Sequence, residues 1–316
     1  MLELRNYHSV IPATVFFATL LLAGCNTLPA CVQDDCNCGD FTYQEEAQVV
    51  LDAFEGDPHR LDQDGNGRAC ESLPRQPNRA PIAADDPLPY GNPSDASPSD
   101  LSDLLIEKDQ YTLAYSCDRG IAHWVAWRLN TDWFGPAERN DDFRADPDLP
   151  EGCPVVTPSD YRGSGFDRGH LAPSADRTRS QADNSATFLM TNMIPQAPEN
   201  NREVWRELEE YTRDLVFEGH ELYIIAGGSG TQGKLAGKVT IPRYTWKIIL
   251  ILDDDNPTVT EDTPIIAVWM PNDDSVDDTD WQDYLVSVDK IEKETGFDFF
   301  SVLAKPLQRA IESQVY

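Results

Sequence analysis

Apolar and polar positions give successive stretches of this 316-residue chain different textures. Residues 10–22 are mostly apolar. Residues 40–73 carry a short amphipathic segment, in which Ala47, Val50, Leu51 and Phe54 recur at helical spacing. A Thr42/Glu45 capping-box pattern precedes it, and Gly56 is a natural stop. Residues 75–100 are rich in Pro, Asp and Ser and show no hydrophobic periodicity, the texture of an extended, solvated linker. From residue 101 onward apolar positions are dense. Residues 111–116, 124–129, 221–226, 245–252 and 265–270 are β-branched or aromatic runs bounded by Gly, Pro or Asp, and they predict strands. Residues 201–217, the region near 288–295 and residues 306–313 predict helices. Strands and helices do not alternate regularly, which favours a mixed α+β domain over a doubly wound one.

One stretch imitates a nucleotide site. Gly228-Ser229-Gly230-Thr231-Gln232-Gly233-Lys234 follows a predicted strand and spells most of a P-loop. Leu235, however, stands where Ser or Thr would bind magnesium, and Val239-Thr240-Ile241 continues as a strand rather than a phosphate-capping helix. The stretch predicts a glycine-rich hairpin.

Arg5 and His8 lie in a short polar start before the apolar run. That run is too short for a transmembrane helix of roughly 20 residues and fits an export signal. It ends in Leu22-Ala23-Gly24-Cys25, which resembles the lipobox of bacterial lipoproteins. The resemblance implies cleavage before Cys25, a membrane anchor on that thiol and, with Asn26 following, outer-membrane sorting. An ordinary secretory signal is the plainer alternative, so the expected product is exported and either lipid-anchored or secreted. Setting Cys25 aside leaves six of the seven cysteines, an even number that fits disulfides in an oxidising compartment. A zinc site is the rival for Cys31, Cys36 and Cys38, although no Cys-x-x-Cys pair is present.

Asp62-Gln63-Asp64-Gly65-Asn66-Gly67-Arg68-Ala69-Cys70-Glu71 alternates short oxygen side chains with glycines, as a loop bent around calcium would. An EF-hand would place its bidentate Glu where Leu73 stands. Together with Cys38-Gly39-Asp40-Phe41 and Glu46-Ala47-Gln48, the loop resembles the excalibur calcium-binding module of extracellular bacterial proteins. That resemblance implies a Cys38–Cys70 disulfide and Ca2+ held by Asp62, Asp64, Asn66 and Glu71. An Asx-rich turn without an ion is the plainer reading. Cys31 could then pair with Cys36, and Cys117 with Cys153.

The candidate chemistry concentrates in Asp167-Arg168-Gly169-His170, Thr191-Asn192-Met193-Ile194-Pro195-Gln196 and Asn200-Asn201-Arg202. A lone histidine is more often structural. Here glycines and Pro173 flank it, in a loop able to hold the ring open to a substrate. Neutral imidazole can take a proton from water, and the nearby arginines disfavour its charged form. Asn201 offers a hard amide oxygen acceptable to Mg2+; capping is the ordinary role of such a residue, and Asn200 can cap while Asn201 ligates. Glu209 lies roughly 12 Å further along a straight helix, too far to share one ion directly. Leaning toward the helix N-terminus, it could reach the ion's water shell.

These segments, with Trp205-Arg206-Glu207-Leu208-Glu209, resemble the DNA/RNA non-specific endonuclease family, the sugar-non-specific ββα-metal group of the Serratia nuclease type. The resemblance covers residues 101–313. It implies an α+β fold with a central antiparallel sheet flanked by helices, Mg2+ (or Mn2+) as cofactor, and DNA and RNA as substrates gripped by the phosphate backbone. By position, His170 resembles the general base, Asn201 the sole direct protein ligand of the metal, and Glu209 the residue that orients the metal's waters. Arg139, in Glu138-Arg139-Asn140-Asp141-Asp142-Phe143, resembles the arginine that contacts phosphate, with Arg168 assisting. Asn192, placed with this catalytic group, resembles a support of the loop geometry, as do Asp167 and Gln196. The expected organisation is a signal peptide (1–24), a tether (25–35), a disulfide-linked calcium module (36–74), a linker (75–100) and a nuclease domain (101–316).

The formal charge of -30 argues the other way, because nucleic-acid binders are usually basic. Acidic surfaces do keep proteins soluble in salty surroundings. The charge sustains a second reading: a calcium-dependent surface-binding lipoprotein whose nuclease-like domain is inactive. No protein partner is evident in the sequence.

Overall fold

The computed structural model describes residues 31, 36–41, 44–54, 56–63, 65, 68–73, 88–253 and 258–316. The expected signal peptide with Cys25, most of the expected tether, Thr42, the calcium-ligand candidates Asp64 and Asn66, residue 74 and residues 75–87 of the expected linker lie outside them.

In the N-terminal module the amphipathic segment forms helix α1 (Gln44–Ala53). Its apolar face supplies Ala47 and Val50 to a small core with Cys36, Phe41, Leu61, Ala69 and Cys70, and Leu51 and Phe54 pack against it. A core this small is marginal alone. The Cys31–Cys36 and Cys38–Cys70 disulfides staple it, so the six-cysteine reading, and not zinc, describes these thiols. Asp57 accepts backbone N–H groups from Leu61 and Asp62, and Asp62 accepts from Gly65, so carboxylate-to-backbone bonds hold the loop's bends.

The larger body begins before residue 101. Tyr90 and Ala96 are buried, Trp124 donates its indole N–H to Ser94, and the Asp298 N–H donates to the Pro93 carbonyl. Residues 88–100 are therefore packed structure and not linker. Their composition conceals this because side-chain turns do the ordering; Asn92, for example, bonds the Ala96 backbone in both directions.

The chain then forms β1 (Leu104–Glu107), β2 (Thr112–Ser116), β3 (Ile121–Leu129), β4 (Asp167–His170), α2 (Gln181–Ala186), β5 (Met193–Gln196) and α3 (Trp205–Phe217). After these come β6 (His220–Ser229), β7 (Gly233–Leu235), β8 (Val239–Ile241), β9 (Tyr244–Asp253), β10 (Ile265–Pro271), α4 (Val288–Thr295) and α5 (Lys305–Glu312). Six strands make one sheet in the order β1-β2-β3-β6-β9-β10, every neighbouring pair antiparallel. β4 pairs with β5, and β7 with β8, as separate ribbons. The Cys117–Cys153 disulfide ties the β2–β3 turn to the long segment before β4.

Side chains alternate across the sheet. Val125, Trp127, Leu222, Ile224, Ile249 and Ile251 face a core that also holds Met193, Trp205 and Leu208. Trp124, Tyr223, Ile225, Ile248 and Leu250 face a second core with Ile291, Leu307 and Ile311. With β4, β5 and α3 on one face and α4 and α5 on the other, the central strands read as nearly continuous apolar runs.

Gly228, which opens the false P-loop, and Gly227 before it have a packing cause. A Cβ on Gly227 would lie 2.5 Å from the Trp246 ring, and one on Gly228 2.8 Å from Pro242. The predicted hairpin is the β7–β8 ribbon.

Candidate active site

Two of the quoted motifs pair as strands. Asp167 stands opposite Gln196, Gly169 opposite Ile194 and His170 opposite Met193. Gly169 is needed where the ribbon is tightest, since a Cβ there would lie 1.9 Å from Gln196 Oε1 and 2.6 Å from its Cβ. Residues 200–204 then make a π-helical turn that runs into α3. This completes a β–β–α unit packed on one face of the sheet.

The unit gathers the candidate residues. Arg139, Arg168, His170, Asn201 and Glu209 line one cleft of about 330 Å³, together with Ser174, Arg202, Arg206 and Arg213. An adjoining hollow of about 510 Å³ shares Arg139, Arg168 and Asn201 and adds Tyr161, Arg162 and Phe166.

His170 is 9% exposed, with Phe188 edge-on at 5.0 Å and Phe143 at 5.6 Å between ring centroids. Its Nε2 is buried without a hydrogen-bond partner among the described residues. Burial first, then the charges of Arg139 and Arg168, push its pKa down to about 3. The ring is therefore neutral at any ordinary pH.

The same two arginines are steered by aromatic faces. The Arg168 guanidinium lies 3.9 Å over Phe143, and that of Arg139 lies 5.0 Å over Phe188. Arg139 also donates to Ser174 Oγ at 2.9 Å and to Asp141 at 2.8 Å.

Asn201 donates its amide Nδ2 to Asp167 Oδ2 at 3.0 Å, which leaves its amide oxygen Oδ1 able to hold a cation. Arg202 forks onto both oxygens of the same carboxylate at 2.7 Å each. Burial pushes Asp167 up, but the Arg202 and Asn201 hydrogen bonds more than offset it and hold its carboxyl below the usual range. Asp167 is thus a fixed anion that orients the asparagine.

Glu209 has a side chain only 14% exposed. Burial raises its pKa, and Lys247 at 3.6 Å offsets part of that rise. Lys247 projects from the middle of β9, is 1% exposed and sits 4.1 Å over the Trp205 ring. Burial lowers its pKa, opposed by Glu209. Beside the pair, Arg213 meets Asp176 at 3.1 Å, and Asp176 accepts the Trp127 indole N–H.

Two expectations change. Asn200 is not a cap: its side chain is buried and bonds Gln196, Thr245 and the Pro271 carbonyl, pinning the π turn to the sheet. A straight α-helix from Asn201 to Glu209 is replaced by that π turn, a feature that often marks functional sites. Asn192 is fully buried and clamps the backbone of Ala172 and Thr187. That makes it a positioning residue, away from the cleft lining. In the N-terminal module Asp62 and Glu71 are described; Asp62 is half-buried and Glu71 exposed.

Lys247, Arg213 and Asp176 were not anticipated. Sequence held a signal for two of them. A lysine inside Trp246-Lys247-Ile248-Ile249 needs a buried partner, and Arg202, Arg206, Glu209 and Arg213 recur at spacings of four, three and four, one helix face. Asp176, in an irregular segment, had none.

The arrangement offers a neutral base, an oriented amide oxygen, a partly buried carboxylate and an arginine-lined wall. The chain is similar to several nucleases. A nuclease from Nostoc sp. strain PCC 7120 is 53% identical over 234 residues, 72% of this chain and 85% of the relative. Nuclease C1 of Cunninghamella echinulata is 30% identical over 68% of this chain and 88% of its own length. Human mitochondrial endonuclease G is 31% identical over 64% and 71%. The crystal structure of an EndoG/EndoGI complex shares the fold, with TM-score 0.58, 23% identity and coverage of 69% of this chain and 91% of that one. Residues 92–305 match the profile of the DNA/RNA non-specific endonucleases, and the chain belongs to that family.

Proposed function

We propose that this endonuclease hydrolyses the phosphodiester bonds of DNA and RNA without regard to sequence or sugar, with Mg2+ at Asn201 and His170 as general base. The observation that carries the reading is the convergence of His170, Asn201, Glu209, Arg139 and Arg168 on one cleft, from segments far apart in sequence. Asn201 fits a hydrated magnesium ion: its Nδ2 is committed to Asp167, its oxygen is left for a hard cation, and Glu209 stands in the same cleft for the water shell. Mg2+ bound there would add positive charge opposite the reacting phosphate and the departing oxygen.

The protein's own groups do the rest. With Nε2 enclosed by Phe188 and Phe143, Nδ1 is the nitrogen left to take a proton from the attacking water. Arg139 and Arg168 hold the non-bridging oxygens, their forks aimed by Ser174 and the phenylalanine faces. Contacts of this kind address the backbone, which carries no sequence information. Phe166, half-buried in the adjoining hollow, presents its ring to whichever base lies there.

The same reading includes export, an anchor on Cys25, a linker over residues 75–87 and a calcium-loaded excalibur-like loop at Asp62, Asp64, Asn66 and Glu71. The oxidised cysteines support the exported setting. The test is cleavage of plasmid DNA and of RNA in Mg2+ and in EDTA. Both substrates should be cut only with the metal, and His170→Ala should lower the rate about 100- to 10,000-fold. Undiminished cutting by His170→Ala, or none by the wild type, overturns it.

A further inference from the structure

On the sheet face away from the cleft, α4 and α5 bring three carboxylates together. Asp289, Glu292 and Glu312 each turn an oxygen toward a common point, no two of those atoms more than 4.8 Å apart. An acidic cluster alone would mean little on so acidic a chain. Glu312 is different: it is 4% exposed, and its Oε1 is buried with no hydrogen-bond partner among the described residues. A buried oxygen of a carboxylate left without a donor is costly unless something positive meets it. Among the described residues no protein cation fills that role. Lys305 is turned to Asp298 and Gln308, and Lys290 to Glu294.

We propose that Asp289, Glu292 and Glu312 form a calcium site that clamps α5 onto α4, separate from the loop expected at residues 62–71. Spacing and ligand type both favour calcium. Calcium binds oxygens at about 2.3–2.6 Å, so three oxygens spread around it stand about 4.0–4.5 Å apart, which a cluster with all three atoms within 4.8 Å accommodates. Magnesium needs a tighter octahedron and sheds water reluctantly. Glu292 Oε1 already accepts the Phe299 N–H, which fixes its carboxylate and leaves Oε2 for the ion. The structural consequence is local. Leu307 and Ile311 of α5 and Val288 and Ile291 of α4 belong to the second core, so the clamp secures that core's outer layer.

The test uses the full chain carrying Asp62→Ala and Asp64→Ala, which removes the N-terminal loop from the count. This protein should retain about one calcium per chain after dialysis. Its Tm should rise by about 5–10 °C at calcium a hundredfold above Kd. Adding Glu312→Gln should abolish both effects without lowering the Tm in EDTA, because the amide removes a buried negative charge. Should that variant fail to fold, the exposed Asp289→Asn asks the same question. No calcium on the loop-disabled chain, a calcium response that survives Glu312→Gln or Asp289→Asn, or an equal shift with magnesium overturns the proposal.

Discussion

His170 owes its proton affinity to its wall. Phe143 and Phe188 exclude water from one side of the ring, and Arg139 and Arg168 charge the other. The folded pKa, about 3, lies below the ordinary histidine value of 6.5. Between those values the unfolded chain binds the proton and the folded chain does not, so this residue's contribution to stability rises with pH across that window. The catalytic consequence has the same sign. A base that stays deprotonated to about pH 3 gives kcat/KM no acidic limb at 6.5; activity at fixed Mg2+ should hold nearly level from pH 8 to pH 6. A profile measured over pH 4–8 decides it, and half-maximal activity near 6.5 would mean the site is wetter and less cationic than its neighbours imply. Asn192 and Gly169 belong to the same scale. One clamps the backbone beside the histidine, and the other lets Gln196 close against it.

Among elements, the decisive contact is that of α3 with β9, where Lys247 meets Glu209 beneath the cleft. Removing one member of a buried pair strands the other's charge, at about 3 kcal/mol or more. Lys247→Met should therefore lower the Tm by roughly 6–12 °C in a body of this size. It should also reduce nuclease activity, because Glu209 loses the charge that keeps it ionised. Lys247→Met/Glu209→Gln should regain much of the stability and none of the activity; thermal melts and plasmid cutting on the two variants separate the effects, and equal Tm values would refute the pairing. This contact also shows what sequence could and could not tell. The central strands and α3, α4 and α5 were legible because sustained apolar runs and 3.6-residue periods survive any context. β4 and β5 were not, although they carry the site. Asp-Arg-Gly-His and Met-Ile-Pro-Gln are four-residue strands whose pairing depends on Gly169 and Gln196 fitting together, a tertiary fact. The π turn escaped for the same reason, since Asn200 is drawn inward by Thr245 and Pro271, about 45 and 71 residues away. Residues 88–100 read as linker because their order comes from side-chain turns, which leave no period.

For the whole molecule the open problem is charge. A net -30 repels a polyanion at long range, yet the cleft wall carries Arg139, Arg168, Arg202, Arg206 and Arg213. Most of these are partly neutralised: Arg202 by Asp167, Arg206 by Glu210, Arg213 by Asp176 and Arg139 by Asp141. Attraction is thus a short-range property of the cleft, and repulsion a long-range property of the surface. Salt separates the two. At about 0.01 M the Debye length is about 30 Å and the whole surface acts on approaching DNA; near 0.15 M it is about 8 Å, so the repulsion is screened while direct arginine–phosphate contacts persist. For a basic nuclease, added salt only weakens binding, through counterion release. Here kcat/KM on plasmid DNA, at fixed Mg2+, should first rise between 0.01 and about 0.1 M monovalent salt and fall only beyond that. Initial rates across a salt series measure this directly. A monotonic fall from the lowest salt would show that the cleft's field dominates at every distance, and that the acidic surface plays no part in substrate encounter.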